Sequence, residues 1–147
     1  MILQFKRLLI NLLYPVAKAY WFIFRPKTRG VRCLVHRGGK VLLIRHSYAG
    51  RLWNLPGGGV QGKESLQDTA KREVLEETGI EVGELKQIDQ FLRTREYKRD
   101  LLTIFEGQAE SEDIVMDELE ILDAGWFSPD NLPKELAGVA EKILIKK

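Results

Sequence analysis

The chain is poor in cysteine, close to neutral overall, and has no acidic residue in its first 27 positions. A single cysteine, Cys33, excludes an intrachain disulfide and a zinc cluster built from thiolates. It lies in the apolar run Val31-Arg32-Cys33-Leu34-Val35, which predicts a buried structural thiol rather than a nucleophile. Low cysteine use makes a reducing cytoplasm the default compartment. A net charge of +2 is too small to mark a nucleic-acid binder by itself. Internal repeats and low-complexity tracts are absent. A length of 147 residues suits one domain with a real core, not two.

Residues 1–27 read as a segment apart from residues 28–147. They are rich in Leu, Ile, Phe, Tyr and Trp, and their charges are all basic: Lys6, Arg7, Lys18, Arg25 and Lys27. Lys6, Arg7, Asn11, Pro15 and Lys18 interrupt the stretch too often for a membrane span. Lys18 also breaks any signal-peptide core, and no small-residue cleavage site follows. At helical spacing, Arg7, Asn11, Tyr14, Lys18 and Arg25 share one face. Ile2, Phe5, Leu9, Leu12, Leu13, Val16, Tyr20 and Ile23 lie opposite. This predicts an amphipathic helix, with a kink near Pro15 as one option. Its apolar face would be covered by the domain, by a second subunit in a homodimer, or by peripheral contact with a membrane surface.

The remaining chain alternates strand and helix signals. Val31–His36 and Lys40–His46 predict a hairpin around Arg37-Gly38-Gly39, and Trp53–Leu55 a short strand. One strand is expected within 81–94, another over 100–109, with a turn at 95–99 between them. A short strand at 124–127 and a closing helix over 131–145 complete the reading, the break at Ser128-Pro129-Asp130 marking the start of the latter. Irregular interleaving of this kind predicts an α/β layered domain with a mixed sheet.

The most informative stretch is Arg72-Glu73-Val74-Leu75-Glu76-Glu77-Thr78-Gly79-Ile80. Glu73, Glu76 and Glu77 stand at i, i+3 and i+4, so on a helix they share one sector. Like charges so placed cost an isolated helix roughly 0.2–0.5 kcal/mol per pair. A cation recovers that cost, and hard oxygen ligands suit Mg2+ or Mn2+, with substrate phosphate completing the coordination. Before them comes the glycine-rich turn Pro56-Gly57-Gly58-Gly59. Ser65 is placed to cap a helix of residues 65–78, with Asp68 as the capping-box acid and Gly79 as a left-handed terminator. Leu66, Ala70 and Val74 give that helix its core stripe.

Gly58, Glu64, Arg72-Glu73, Val74, Glu76-Glu77, Gly79 and Ile80 stand at the fixed positions of the Nudix box. The chain therefore resembles the Nudix hydrolases, through the box at Gly58–Ile80 and more weakly from about Gly30 to about Pro133. The resemblance implies an α/β/α sandwich with the N-terminal helix as an addition. It also implies Mg2+-dependent hydrolysis of a diphosphate bond in a nucleoside diphosphate linked to another moiety, a small nucleotide being the substrate.

Carried onto this sequence, the resemblance makes Glu73, Glu76 and Glu77 metal ligands, with the Gly58 carbonyl as a fourth. Glu64 and Arg72 would form an ion pair that supports the glycine turn. Family members differ in their general base. Some use a box glutamate, here Glu73 or Glu77; others use an acid outside the box, here Glu120 first and Glu118 second. Arg45, Arg51, Arg93 and Arg95 are candidates for phosphate contacts. Tyr48, Tyr97, Trp53 and Phe91 could stack on a base, though Trp53 and Phe91 suit core packing equally well. His36 and His46 read as strand-end histidines. Gln61 and Lys63 depart from the Glu and Gly that many relatives carry, and no motif of a defined subfamily is present. Two other functions compete: removal of pyrophosphate from the 5' end of RNA, to which the basic run Arg93–Arg99 would contribute, and a non-catalytic nucleotide-binding or membrane-docked module.

Overall fold

The computed structural model describes residues 1–24, 27–48 and 50–146, with the Arg95 side chain excepted. In chain order the elements are α1 (Ile2–Phe24), β1 (Lys27–Arg37), β2 (Lys40–His46), β3 (Gly57–Gly59), α2 (Leu66–Thr78), β4 (Lys86–Arg95), β5 (Lys98–Gln108), β6 (Ile121–Phe127) and α3 (Gly138–Ile145). The strands form one sheet in the order β4-β5-β1-β2-β6, with β3 paired to β1 off that path. β1 runs parallel to β5, and the remaining pairs are antiparallel, so the sheet is mixed.

Side-chain alternation along β1 and β2 builds two cores. Val31, Cys33, Val35 and Leu42 face α2, where Ala70 and Val74 meet them. Leu34, Val41 and Leu43 face the other way and pack with Ala140 and Ile143 of α3. The result is an α/β/α sandwich. Cys33 is fully buried, and burial, aided by the negative charge of Glu106, pushes its thiol up to about 12. It is a core side chain.

Local signals fixed α2 well. The Ser65 hydroxyl accepts from the Asp68 amide at 3.0 Å, and Gly79 closes the helix in the left-handed region at φ 69°. The turn between β4 and β5 is built from Glu96 and Tyr97, both at positive φ, as a two-residue hairpin turn requires.

Two expectations need correction. Trp53 and Asn54 make isolated bridges to Leu136 and Ile44, and the strand of that region is β3, further along the turn. The closing helix begins at Gly138, not at 131. The Trp53 amide donates to the Glu135 carbonyl and the Ala137 amide to the Trp53 carbonyl, each at 2.7 Å, which holds 135–137 extended.

α1 is one helix through Pro15, and none of its residues is buried. Its less exposed positions are Leu3, Arg7, Ile10, Tyr14, Ala17 and Trp21, a seam of alternating three- and four-residue steps that lies against the domain. Covering of the apolar face by the domain is thus ruled out as the arrangement. Leu12, Val16 and Ile23 are 68%, 66% and 69% exposed. No helix among the described residues is long and apolar enough to cross a membrane.

Candidate active site

The site is assembled where the glycine turn meets α2. β3 pairs with β1, Gly57 opposite Arg32 and Gly58 opposite Val31. Gly57 has φ 154°, and a Cβ there would lie 2.1 Å from the Val31 carbonyl oxygen, so no other residue fits. A Cβ on Gly58 would lie 2.5 Å from the carboxyl carbon of Glu73. The turn is therefore pressed directly against the acids of α2.

Arg72 ties the pieces together. Its Nε donates to Glu64 Oε2 at 2.7 Å and its Nη2 to Glu64 Oε1 at 3.0 Å, a bidentate pair. Nη1 donates to Glu73 Oε1 and to Glu76 Oε2, both at 3.0 Å, and Nη2 also reaches the Gly59 carbonyl at 3.2 Å. Glu64 further accepts from the Gln61 amide at 2.9 Å, which fastens the loop on its far side. The hydrogen bonds from Arg72 hold the Glu64 carboxyl below its ordinary range.

The three glutamates of α2 differ in environment. Glu77 is 2% exposed; its Oε1 accepts from the Gly57 amide and its Oε2 from His46 Nε2, each at 2.7 Å. The Glu73 carboxyl is pushed up to about 7, first by burial and then by the charge of Glu77, against the pull of Arg72. Glu76 is the most exposed of the three, its side chain 56% accessible. Glu120 sits on the loop before β6, and its carboxyl is raised by partial burial, then by Asp117 and Glu77. Both Glu118 and Glu120 are exposed, but only Glu120 feels the charges of the α2 acids, and the Glu118 backbone carbonyl accepts from Arg7 Nε of α1 at 2.9 Å.

The donor set suits a hard divalent cation: carboxylates that burial first, and neighbouring acids second, push toward the neutral form, with hydrogen bonds fixing Glu77 from behind. Among the described residues no three His, Cys, Asp or Glu side chains converge on one ion position. Glu76 is turned toward Arg72, and both Glu77 oxygens already accept hydrogen bonds. An ion binding here would compete with Arg72 for Glu76.

Beside the turn lies a cavity of about 610 Å³, reaching Gly58 and Gly59 and lined also by Arg29 and Arg32 of β1. Arg93 and Tyr48 line it, and Tyr14 and Trp21 of α1 close one wall. Arg93 donates to Asp100 Oδ2 at 3.0 Å, and Tyr48 packs near His46 and Tyr14. The other substrate candidates lie elsewhere. Arg45 pairs with Asp123 and covers the Trp53 ring, on the α3 side of the sheet. Trp53 packs edge-on against Phe127, and Phe91 lies under Lys142 at the α3 core. Tyr97 meets Phe22 of α1, Arg51 is exposed in the loop after β2, and the Arg95 side chain lies outside the described residues.

Sequence reasoning missed two contributors. His46 is 6% exposed and bonds to Glu77, whereas His36 pairs with Glu106 away from the site. The alternation of β2 carried a signal: Leu42 and His46 share a face, and that face meets α2. Arg32, 5% exposed and lining the same cavity as Arg93, is the second. Its place in an apolar run disguised it.

Comparison with known proteins agrees with this geometry. A family model described as "NUDIX domain" matches residues 26–146. NAD-capped RNA hydrolase NudC of Shigella dysenteriae serotype 1 is 33% identical over 100 residues, 67% of this chain and 38% of that protein. The Citrobacter koseri protein of the same name is 32% identical over the same share. The chain thus spans little more than a third of the length of these curated relatives. Among solved structures, a MutT NUDIX hydrolase from Burkholderia pseudomallei superposes with a TM-score of 0.74 at 24% identity, covering 81% of this chain and 96% of that one. A MutT protein from Methanosarcina mazei Go1 is 28% identical with a TM-score of 0.63, covering 84% and 93%. With the family model covering all but the N-terminal helix and the extreme C-terminus, the chain belongs to the Nudix hydrolase family.

Proposed function

We propose that this protein hydrolyses the pyrophosphate bond of a nucleoside diphosphate linked to another moiety, in a Mg2+-dependent reaction carried by residues 28–147. The observation that carries the reading is the glycine turn clamped to α2 by Arg72, with Glu73 against Gly58 and Glu77 locked from behind. Glu73, Glu76 and Glu77, with the Gly58 carbonyl, would hold Mg2+, and Mn2+ would serve in its place. The ion supplies charge neutralisation on the diphosphate and a lowered pKa for the attacking water.

The chain's own residues do the rest. Glu64 and Arg72 keep the turn seated, so that the acids are fixed before substrate arrives. Glu120 takes the proton of the attacking water: a P–O bond forms, the bridging P–O bond breaks, and the leaving phosphate takes the electron pair. Partial burial and the charges of Asp117 and Glu77 raise its carboxyl, which makes it a stronger base than a free glutamate. Glu118 is the second choice. Arg93 and Tyr48 on the cavity wall are the favoured substrate contacts, the arginine for phosphate and the tyrosine for a base. Arg45, Phe91 and Trp53 are better accounted for by packing.

A second reading concerns the substrate. The activity named for the NudC relatives, NAD-capped RNA hydrolysis, favours an NAD-type diphosphate at an RNA end over a nucleoside triphosphate. The test is product release with Mg2+ from a panel of nucleoside triphosphates, ADP-ribose, NAD, nucleotide sugars, dinucleoside polyphosphates, and NAD-capped and 5'-triphosphorylated RNA, with Glu77→Gln as the blank. Turnover of a diphosphate-linked nucleotide that Glu77→Gln loses supports the proposal. Tight nucleotide binding with no product release across the panel would instead favour a binding module.

A further inference from the structure

We infer that α1 lies flat on an anionic lipid surface, its apolar face in the interface and its opposite seam on the catalytic domain. Three observations converge. The exposed face is wide and made of bulky apolar side chains: Phe5, Leu9, Leu12, Val16 and Ile23 are between 44% and 69% exposed and fall within about 60° of one another around the helix. The helix contains no acidic residue, and the first acid in the whole chain is Glu64. Lys6, exposed, borders the apolar face on one side, whereas Lys18, also exposed, lies beside the docked seam over the Tyr14 ring. A bulky apolar stripe on a helix with basic and no acidic residues is what an anionic bilayer surface attracts, the stripe entering the acyl boundary and Lys6 meeting headgroup phosphates.

The same observations disfavour a second copy. Two α1 stripes laid together would bring two basic helices into contact with no acid in either to pair with their cations. The domain itself is also excluded, because its contact with α1 runs along the seam through Arg7, Tyr14 and Trp21. That seam has a consequence for the site. Arg7 holds the loop that carries Glu120, and Tyr14 and Trp21 wall the cavity, so a docked α1 fixes the substrate cavity at the lipid surface.

The test is co-sedimentation of the full-length protein with vesicles of phosphatidylglycerol and phosphatidylcholine, against vesicles of phosphatidylcholine alone. The expected result is at least about tenfold greater partitioning onto the anionic vesicles, lost in Leu12→Glu/Val16→Glu with an unchanged melting temperature. Phe5→Glu, at the other end of the stripe, is expected to weaken partitioning independently. Recovery of wild-type protein in the supernatant with both vesicle types would overturn the inference. So would a solution dimer, measured by light scattering, that the same substitutions dissociate.

Discussion

Replacing Glu73 by Gln should stabilise the metal-free protein at alkaline pH and do nothing at acid pH. In the folded protein the Glu73 carboxyl is raised to about 7 from an ordinary 4.5, chiefly by burial and then by the charge of Glu77. A raised carboxylate works against folding once ionised. The penalty is absent below the unfolded value near 4.5, grows between 4.5 and about 7, and is complete above that. The full shift would correspond to about 3 kcal/mol, and screening by solvent at the rim of the site brings it to about 2 kcal/mol. Glutamine keeps the shape and removes the charge. For a domain of this size, Glu73→Gln should therefore melt about 4–8 °C above wild type near pH 8 and at the same temperature near pH 4 or below. The assay is differential scanning calorimetry of both proteins across that range in chelator. Adding Mg2+ near pH 8 should close the gap by raising wild type alone, because the cation binds the ionised site. A gap that does not depend on pH, or wild type melting higher near pH 8, would refute the electrostatic account of the site.

Gly58→Ala would drive a methyl group to 2.5 Å from the Glu73 carboxyl carbon. It should lower Mg2+-dependent turnover by at least about tenfold in steady-state kinetics, because the turn and Glu73 cannot both keep their places. Arg72→Lys keeps the charge but loses the fork that holds Glu64, Glu73, Glu76 and Gly59. A loss of about 1–2 kcal/mol in urea unfolding is expected, with reduced turnover. His46→Ala leaves the buried Glu77 Oε2 without its donor. It should cost about 1–3 kcal/mol by the same measure, partly recovered in His46→Gln. Glu120→Gln should slow turnover by about 100-fold if Glu120 is the base, while Glu118→Gln stays near wild type; the reverse order would move the role to Glu118.

The parts of the fold that local chemistry decides could be read from the sequence. Ser65 and Gly79 bound α2, Gly38-Gly39 bound the first hairpin, and the acids of α2 announced themselves by spacing. What escaped depended on contacts between distant residues. The start of α3 was displaced because Trp53 holds 135–137 extended by backbone hydrogen bonds across the fold. His46 looked like a strand-end histidine because its partner Glu77 lies 31 residues away on another element. For α1 the amphipathic pattern was plain, but the packed face was not. A seam through Arg7 and Tyr14 docks because Arg7 finds the Glu118 carbonyl, 111 residues away. The parallel pairing of β1 with β5 likewise has no local signature.

The central claim is that the acids of α2 bind the ion on which pyrophosphate hydrolysis depends. The most direct measurement is a Mg2+ titration of turnover, wild type against Glu76→Gln, on the best substrate of the panel. Glu76 is exposed and pairs with Arg72, so its replacement should leave the fold intact. The account predicts a half-saturating Mg2+ concentration raised by at least about tenfold, or turnover lost outright. Wild-type turnover and Mg2+ dependence in Glu76→Gln, within about twofold, would contradict it.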